Sequence, residues 1–379
     1  MRGNSVLRCA RIIALHVDYM SRLRLSLVLL ICFGFGVTIV RQAYSAPLVQ
    51  GATAASGKRL ENVPTQGLSA AEINFLDTFM ISHPHQNRAR IAALLRQTQV
   101  QDAVLQAISQ PAEHTKTWAE YRPIFLGSRR IEQGAAFMRA HRALLQKIAT
   151  EYGVAPQYMV AILGVETRYG RVTGKYRILD ALSTLAFHYP PRASFFRTQL
   201  AALLALPAQQ LPAPLQDLHG SYAGAMGWSQ FMPLSLQHYG IDGDGNGRID
   251  LWNSLPDILA STANYLVAHG WQRGQPVAMP AVLGKSTAEV PTQRSKTLYV
   301  VEALEARGYA PSAPVDPELP ATLLTLQGAY GPEYWITFAN FEVITHYNRS
   351  PLYAMAVTQL AEAIQHAAAT PSTVPGAAS

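Results

Sequence analysis

From Ser69 to Glu151 apolar residues recur three and four apart, in AAEINFLDTFMI, ARIAALLRQT and AAFMRAHRALLQKIATEYG. That spacing commits the region to helices that bury one face. Pro156, well suited to a first helical position, opens a further segment that stops at Gly170. Helices are also predicted over 179–187, 194–205 and 256–269, the last closed by Gly270. Residues 272–338 change character: prolines are frequent, runs such as TLLTLQ and YWITF favour strands, and only TLYVVEALEARG reads as helical. YAMAVTQLAEAIQHA then restores the helical period within 339–368, and the tail 369–379 reads as disordered. The chain is therefore expected to be mainly α, with a small β-containing insertion and no repeat of fixed period. At 379 residues it exceeds an average single core, so one large unit or two to three modest ones are expected.

The formal charge of +7 suggests nucleic acid until its distribution is examined. Residues 1–45 hold Arg2, Arg8, Arg11, Arg22, Arg24 and Arg41 against Asp18, a surplus of five that leaves two for the rest. So weak a remainder is no nucleic-acid footprint. Arg22 and Arg24 instead precede the apolar run Leu25–Val40, and Ala43-Tyr44-Ser45 places small residues before a cut at Ala46. These are the parts of a cleaved signal peptide over 1–45, with Met20 an alternative start; a retained anchor is less favoured because the run is short and holds two glycines. Both cysteines, Cys9 and Cys32, lie in that segment, so the mature chain has no thiol for a disulfide, a Cys–zinc site or a nucleophile. Ile31 before Cys32 is too bulky for a lipoprotein signal. Residues 46–68, rich in Gly, Ser, Thr and Pro, read as a linker.

GVETRYG, 164–170, poses the chemical question. Met159, Ile162, Leu163 and Glu166 fall three and four apart, which puts a carboxylate on the inward stripe of the helix. A desolvated Glu holds its proton nearer neutrality, as a general acid must. The alternative is a Glu166 that pairs with Arg168 or Arg171 at the helix end. Downstream, GSYAGAMGWSQFMP (220–233) allows backbone to approach a ligand closely while Ser221 and Gln230 offer polar groups; the alternative there is a glycine loop that packs tightly.

The pair GVETRYGRVTGKYRILDALSTLAFHYP and GSYAGAMGWSQFMP closely resembles the membrane-bound lytic murein transglycosylase B family. The likeness runs from about Thr117 to Ala361, through WAEYR, ANYLVAHGW and THYNRSPLYAMAVTQL. The resemblance implies a lysozyme-like helical catalytic core over 151–271, an N-terminal helical part over 69–150, the β-containing part over 272–338, and 339–368 returning to the core. It implies cleavage of the MurNAc–GlcNAc bond of peptidoglycan with a 1,6-anhydro-MurNAc end. Glu166 would be the single catalytic carboxyl, first acid and then base. Ordinary glycosidases need two carboxylates about the bond, a need that an intramolecular nucleophile removes. Asp180 reads instead as a helix-cap residue or a partner of Arg177.

By the same resemblance, Ser221 and Gln230 would contact sugar and N-acetyl groups, and Tyr121, Tyr265, Tyr347, Asn348 and Tyr353 would line the saccharide groove. Tyrosine rings stack on sugars while their hydroxyls hydrogen-bond. After AFHYP the family pattern carries two arginines facing the peptide stem; here stand Pro191 and Arg192, so only Arg192 is carried over.

DGDGNGRID (242–250) has the opening of an EF-hand: Asp242, Asp244 and Asn246 at alternating positions, Gly247 at the turn, and a carbonyl from Arg248. Position 12 is Asn253 rather than Glu; the family's loop is longer and ends in Asp, which assigns Asp257 and a loop over 242–257. Calcium in a structural role is expected, with no organic cofactor; the alternative is a solvated Gly-Asp turn. The sequence thus predicts an exported, periplasmic, monomeric lytic transglycosylase whose partners are glycan strands and cell-wall synthesis proteins. A hydrolysing muramidase and a non-catalytic peptidoglycan-binding scaffold are the competing readings.

Overall fold

A computed structural model describes residues 66–109, 116–288 and 299–370. The segment read as a signal peptide over 1–45, nearly all of the stretch read as a linker over 46–68, and the tail beyond Thr370 lie outside the described residues. Helix starts follow local signals. Ser69 and Glu72 form a capping box at α1 (Ala70–Ser82), as Thr117 and Glu120 do at α4 (Trp118–Phe125). Asn87 caps α2 (Arg88–Arg96), and α3 (Asp102–Ile108) follows.

The long run AAFMRAHRALLQKIATEYG is not one helix. It breaks at His141 into α5 (Ser128–Ala140) and α6 (Arg142–Tyr152). The apolar period continues across the break, but α5 packs against the helix that follows α6, whereas α6 turns toward a later one, so the change of direction is tertiary. Helix α7 (Pro156–Thr167) starts on proline as predicted but ends at Thr167, before Gly170. Nor does it have an inward stripe: Met159 to Gly164 are all buried, so the helix is central and apolar all round, with Glu166 half-exposed at its end.

Then come β1 (Tyr176–Arg177), α8 (Ile178–His188), a 3-10 turn at Pro190–Arg192, α9 (Ala193–Ala205) and β2 (His219–Gly220). The short α10 (Pro233–Tyr239), which the period did not mark, precedes α11 (Leu255–Ala268). Strand β3 (Ala278–Leu283) begins the insertion, followed by β4 (Tyr299–Val300), α12 (Val301–Glu305), β5 (Tyr309–Pro311), β6 (Pro320–Gly328) and β7 (Gly331–Thr337). The antiparallel order is β4-β6-β7-β3-β5. Within the described part of TLYVVEALEARG, from Tyr299 on, the helix covers Val301–Glu305, because Tyr299 and Val300 are taken up by pairing with Ala321 and Pro320. Helices α13 (Ala339–Thr345) and α14 (Pro351–Ala369) complete the described chain.

Two apolar cores organise the helices. One joins Trp118 and Tyr121 of α4, Leu145 of α6, the centre of α7, Ile258 and Leu259 of α11, and Met355 to Ile364 of α14. The other joins Phe75, Ile91 and Val104 of α1–α3 to α8, α9 and α10. The segment 69–150 therefore divides between cores rather than forming one of its own. Alternation along β6 turns Leu324 toward the first core and Leu323 toward a third cluster with Val301 and Leu304 of α12. Among the described residues no helix is long and apolar enough to cross a membrane.

Candidate active site

The site lies on the seam between the two large cores. Glu166 comes from α7 in the first, while Met226 and Phe231, which flank the 227–230 turn, are anchored in the second. Tyr347 packs against both.

The residues around Glu166 explain why the helix ends there. Arg168, Tyr169 and Gly170 all have positive φ, at 51°, 60° and 79°, so the chain reverses immediately after the acid. Two of these are not glycine, a strained arrangement that needs outside support. Tyr169 is folded back and buried, with Oη donating to Arg130 O at 2.8 Å. Only glycine at 164 leaves room for it: a Cβ there would sit 2.7 Å from the phenol oxygen. Gly170 is as tightly constrained, since its Cβ would lie 2.0 Å from the Trp228 ring. Thr167 Oγ1 then accepts from Gly170 N at 3.0 Å and donates to Trp228 O at 3.0 Å, stitching the reversal to the second loop. Thr167 and Tyr169 were not singled out in the sequence, although the glycines flanking GVETRYG are their signature.

Tyr353, on α14, donates its hydroxyl to Glu166 Oε1 at 2.5 Å. Burial, then the Glu166 charge, pushes this phenol well above its ordinary range. Tyr347 is raised too, by burial first, and Tyr265 is raised to about 12, again by burial first, with Glu166 contributing to both. All three stay protonated near neutrality, and Tyr353 and Tyr265 act as donors. Tyr265 spends its hydrogen on His346 O at 2.8 Å, and its ring lies 4.3 Å from that of Tyr347. The Tyr347 hydroxyl, next to Thr262, is out of solvent and without hydrogen-bonding geometry to any described group. Tyr121 is buried, with its ring centre 5.1 Å from that of Phe125. Asn348 directly follows Tyr347 and is half-buried.

In the second loop, Ser221 Oγ accepts from Ala223 N at 3.2 Å and Ala225 N at 3.0 Å. That use of its lone pairs turns the hydroxyl hydrogen into its remaining resource. Gln230, at φ 50°, donates Nε2 to Thr173 O at 3.1 Å and Gly227 O at 2.9 Å, so both amide hydrogens are committed to backbone and Oε1 remains an acceptor. The loop is held against the segment after α7 by the Tyr176–Gly220 pairing. Arg192 stands apart, exposed, its guanidinium 4.4 Å from the Phe195 ring centre. Asp180 is no second acid at this site: it is buried, accepts from Gln99 N at 3.1 Å and pairs with Arg177 at 3.5 Å.

Behind α10, carboxylate oxygens of Asp242, Asp244 and Asp257 lie within 4.8 Å of one another. Asp257 is fully buried at the start of α11, receiving Gly243 N at 2.9 Å and Asp250 N at 2.7 Å. Asp242 receives Gly247 N at 2.7 Å, the main reason its carboxyl is held below the ordinary range. Asn246 Oδ1 accepts from Arg248 N at 2.9 Å, and both residues are exposed. Asp250 caps Trp252 and Asn253 instead of joining the cluster.

Residues 72–362 match the family described as Transglycosylase SLT domain. The chain is 39% identical over 299 residues to membrane-bound lytic murein transglycosylase B of Escherichia coli K12, covering 76% of this chain and 81% of that protein. The E. coli lytic transglycosylase Slt35 in complex with calcium is similar in structure, with a TM-score of 0.72, 38% identity, and coverage of 82% of this chain and 95% of that one. SltB3 of Pseudomonas aeruginosa in complex with NAG-anhNAM-pentapeptide gives a TM-score of 0.69 and 30% identity, covering 78% of this chain and 80% of that one.

Proposed function

Because the chain belongs to the transglycosylase SLT domain family and is a lytic murein transglycosylase, a lyase acting on peptidoglycan, we propose that Glu166 carries the chemistry alone. Its carboxyl protonates the glycosidic oxygen as the bond from MurNAc C1 breaks, and GlcNAc leaves with that proton. The resulting carboxylate takes the hydrogen of the MurNAc C6 hydroxyl as that oxygen closes onto C1. Atoms balance without water, and the product is a 1,6-anhydro-MurNAc end. The observation that carries this reading is the Tyr353–Glu166 hydrogen bond at 2.5 Å, which holds one acid among protonated phenols while Asp180 is occupied elsewhere. The anhydro sugar bound by SltB3 supports it.

The Tyr347 ring, partly exposed and packed against both large cores, would line the saccharide groove. Ser221 would donate to the sugar and Gln230 Oε1 would accept from an N-acetyl N–H. Tyr265 and Tyr121 hold Tyr347 and Tyr353 in place, Asn348 adds a polar contact, and Arg192 meets a stem carboxylate. In the catalytic core over 151–271, the 242–257 loop fits a hard divalent cation. Its donors are oxygens, and three carboxylates, one fully buried, converge there. Asp242, Asp244, Asn246, the Arg248 carbonyl and Asp257 would hold calcium, bracing α11 behind the 227–230 turn; the calcium complex of Slt35 supports this. Action on murein and the arginine-flanked apolar run before Ala46 support export to the periplasm, where the enzyme would act as a monomer on glycan strands.

Digestion of purified peptidoglycan should release muropeptides one water lighter than hydrolytic products, as read by mass spectrometry. Reducing-end MurNAc as the sole product would replace this reading with a hydrolysing muramidase. Glu166→Gln should abolish release while sparing binding, and undiminished release would remove Glu166 from its role. Binding without release by the unaltered protein would mark a scaffold.

A further inference from the structure

Between the turn joining α4 to α5 and the reversal after α7 lies a cavity of about 320 Å³. We infer that it binds the carboxylates of the peptide stem borne by the glycan strand, an inference that rests on the peptidoglycan reading above. Its walls carry four guanidinium groups, from Arg129, Arg130, Arg168 and Arg171. The ion pairs of the described residues, Arg88–Asp77 and Arg177–Asp180, involve none of them. The Gln133 carboxamide lies within reach of two of them; oriented oxygen-inward, Oε1 would accept from Arg129 Nε at 3.2 Å and Arg171 Nη1 at 2.6 Å. This neutral clamp gathers the cations without cancelling their charge. Arg130 Nη1 is buried with no partner, and the guanidinium is 5.1 Å from the Phe125 ring centre. A buried cationic donor without an acceptor is costly, and a bound carboxylate would satisfy it.

The remaining wall is apolar and open to solvent: Ile124 is 44% exposed and Val172 56%. Such a lining suits a ligand that joins several carboxylates to aliphatic carbon, as a stem peptide does; the sugar rings carry no charge, and a strand without stems offers only the single lactyl carboxylate of each MurNAc. The cavity also adjoins the acid along the chain, since Arg168 follows Glu166 by two positions.

The test compares peptide-bearing peptidoglycan with glycan strands stripped of peptide by an amidase, using the full mature chain. The variant is Arg129→Gln/Arg171→Gln; Arg168 is left intact because its φ of 51° belongs to the reversal that positions Glu166. The ratio of kcat/KM on peptide-bearing to stripped substrate should fall roughly tenfold, as expected for lost charge-assisted bonds, and Arg→Lys at both positions should restore part of it. An unchanged ratio, or equal loss on both substrates, overturns the proposal. A second arm titrates Glu166→Gln protein with free stem peptide and with its carboxyl-amidated form. Binding that is weakened by amidation and by the arginine changes supports the site, and indifference to both overturns it. If the unaltered enzyme cleaves neither substrate, the catalytic reading fails and the titration still decides the site.

Discussion

Gly164→Ala tests whether the motif around Glu166 is a packing device as well as a catalytic one. In a helix interior this exchange ordinarily stabilises by about 1 kcal/mol, because alanine has less backbone entropy to lose. Here the new methyl would lie 2.7 Å from Tyr169 Oη, 2.8 Å from Cζ and 2.9 Å from Cε1. Tyr169 has no escape on its other side: its hydroxyl is tied to Arg130 O at 2.8 Å, and Gly134 also lies against it, at 2.4 Å from where a Cβ would stand. Overpacking of this kind costs about 1–3 kcal/mol. Displacing the phenol would forfeit a hydrogen bond worth about 1 kcal/mol more. The clash outweighs the propensity gain, leaving a net loss of about 1–3 kcal/mol. At roughly 2–4 °C per kcal/mol for a domain of this size, Tm should fall by about 2–12 °C. Calorimetric or circular-dichroism melts measure this, and muropeptide release should fall in parallel because the reversal at Arg168–Gly170 sets the end of α7. Adding Tyr169→Leu should recover part of the loss in Tm. A Gly164→Ala protein as stable as the parent would refute the argument that Tyr169 is held against the catalytic helix.

Tyr353→Phe removes the donor to Glu166 and leaves the ring's packing in place, so the fold should survive while kcat falls by about tenfold or more, consistent with a bond to a charged group worth about 1.5–3 kcal/mol. An unaltered kcat would detach Tyr353 from the acid. Asp257→Ala should cost about 2–5 kcal/mol, because it strands the Gly243 and Asp250 amides beneath a buried position. It should also abolish the rise in Tm expected on adding calcium to the parent protein; identical parent melts with calcium and with chelator would argue against the metal. His346 is held below its ordinary range by burial first and then by His269. The folded state therefore binds fewer protons than the unfolded one, and stability should decline as pH falls below about 6.5, the ordinary value for His. His346→Gln should flatten that slope, which a pH series of denaturant midpoints would reveal; because the residue is exposed, the slope is modest.

What the sequence determined by itself is what local physics encodes. Ser69, Thr117, Pro156 and Pro351 begin helices because caps and proline geometry act within one turn, and the observed α8, α9 and α11 each begin and end within one residue of their predicted bounds. The β-favouring stretch became a sheet for the same reason. Glu166 and the 220–233 loop were legible because each is a short contiguous pattern. The break at His141, the strand at Tyr299–Val300, and the division of 69–150 between two cores were decided by packing across long separations, which no local period records. So were the duties of the tyrosines: Tyr353 reaches Glu166 across 187 positions, and it and Tyr121 are both buried, which no local pattern foretells. The arginine cavity assembles from α4, α5 and the residues after α7, three segments whose charges look unremarkable until the fold places them together. Sequence supplied the reactive carboxyl and the helices; only the tertiary structure could decide which donors surround it, because hydrogen bonds and desolvation depend on distances in space and not on positions along the chain.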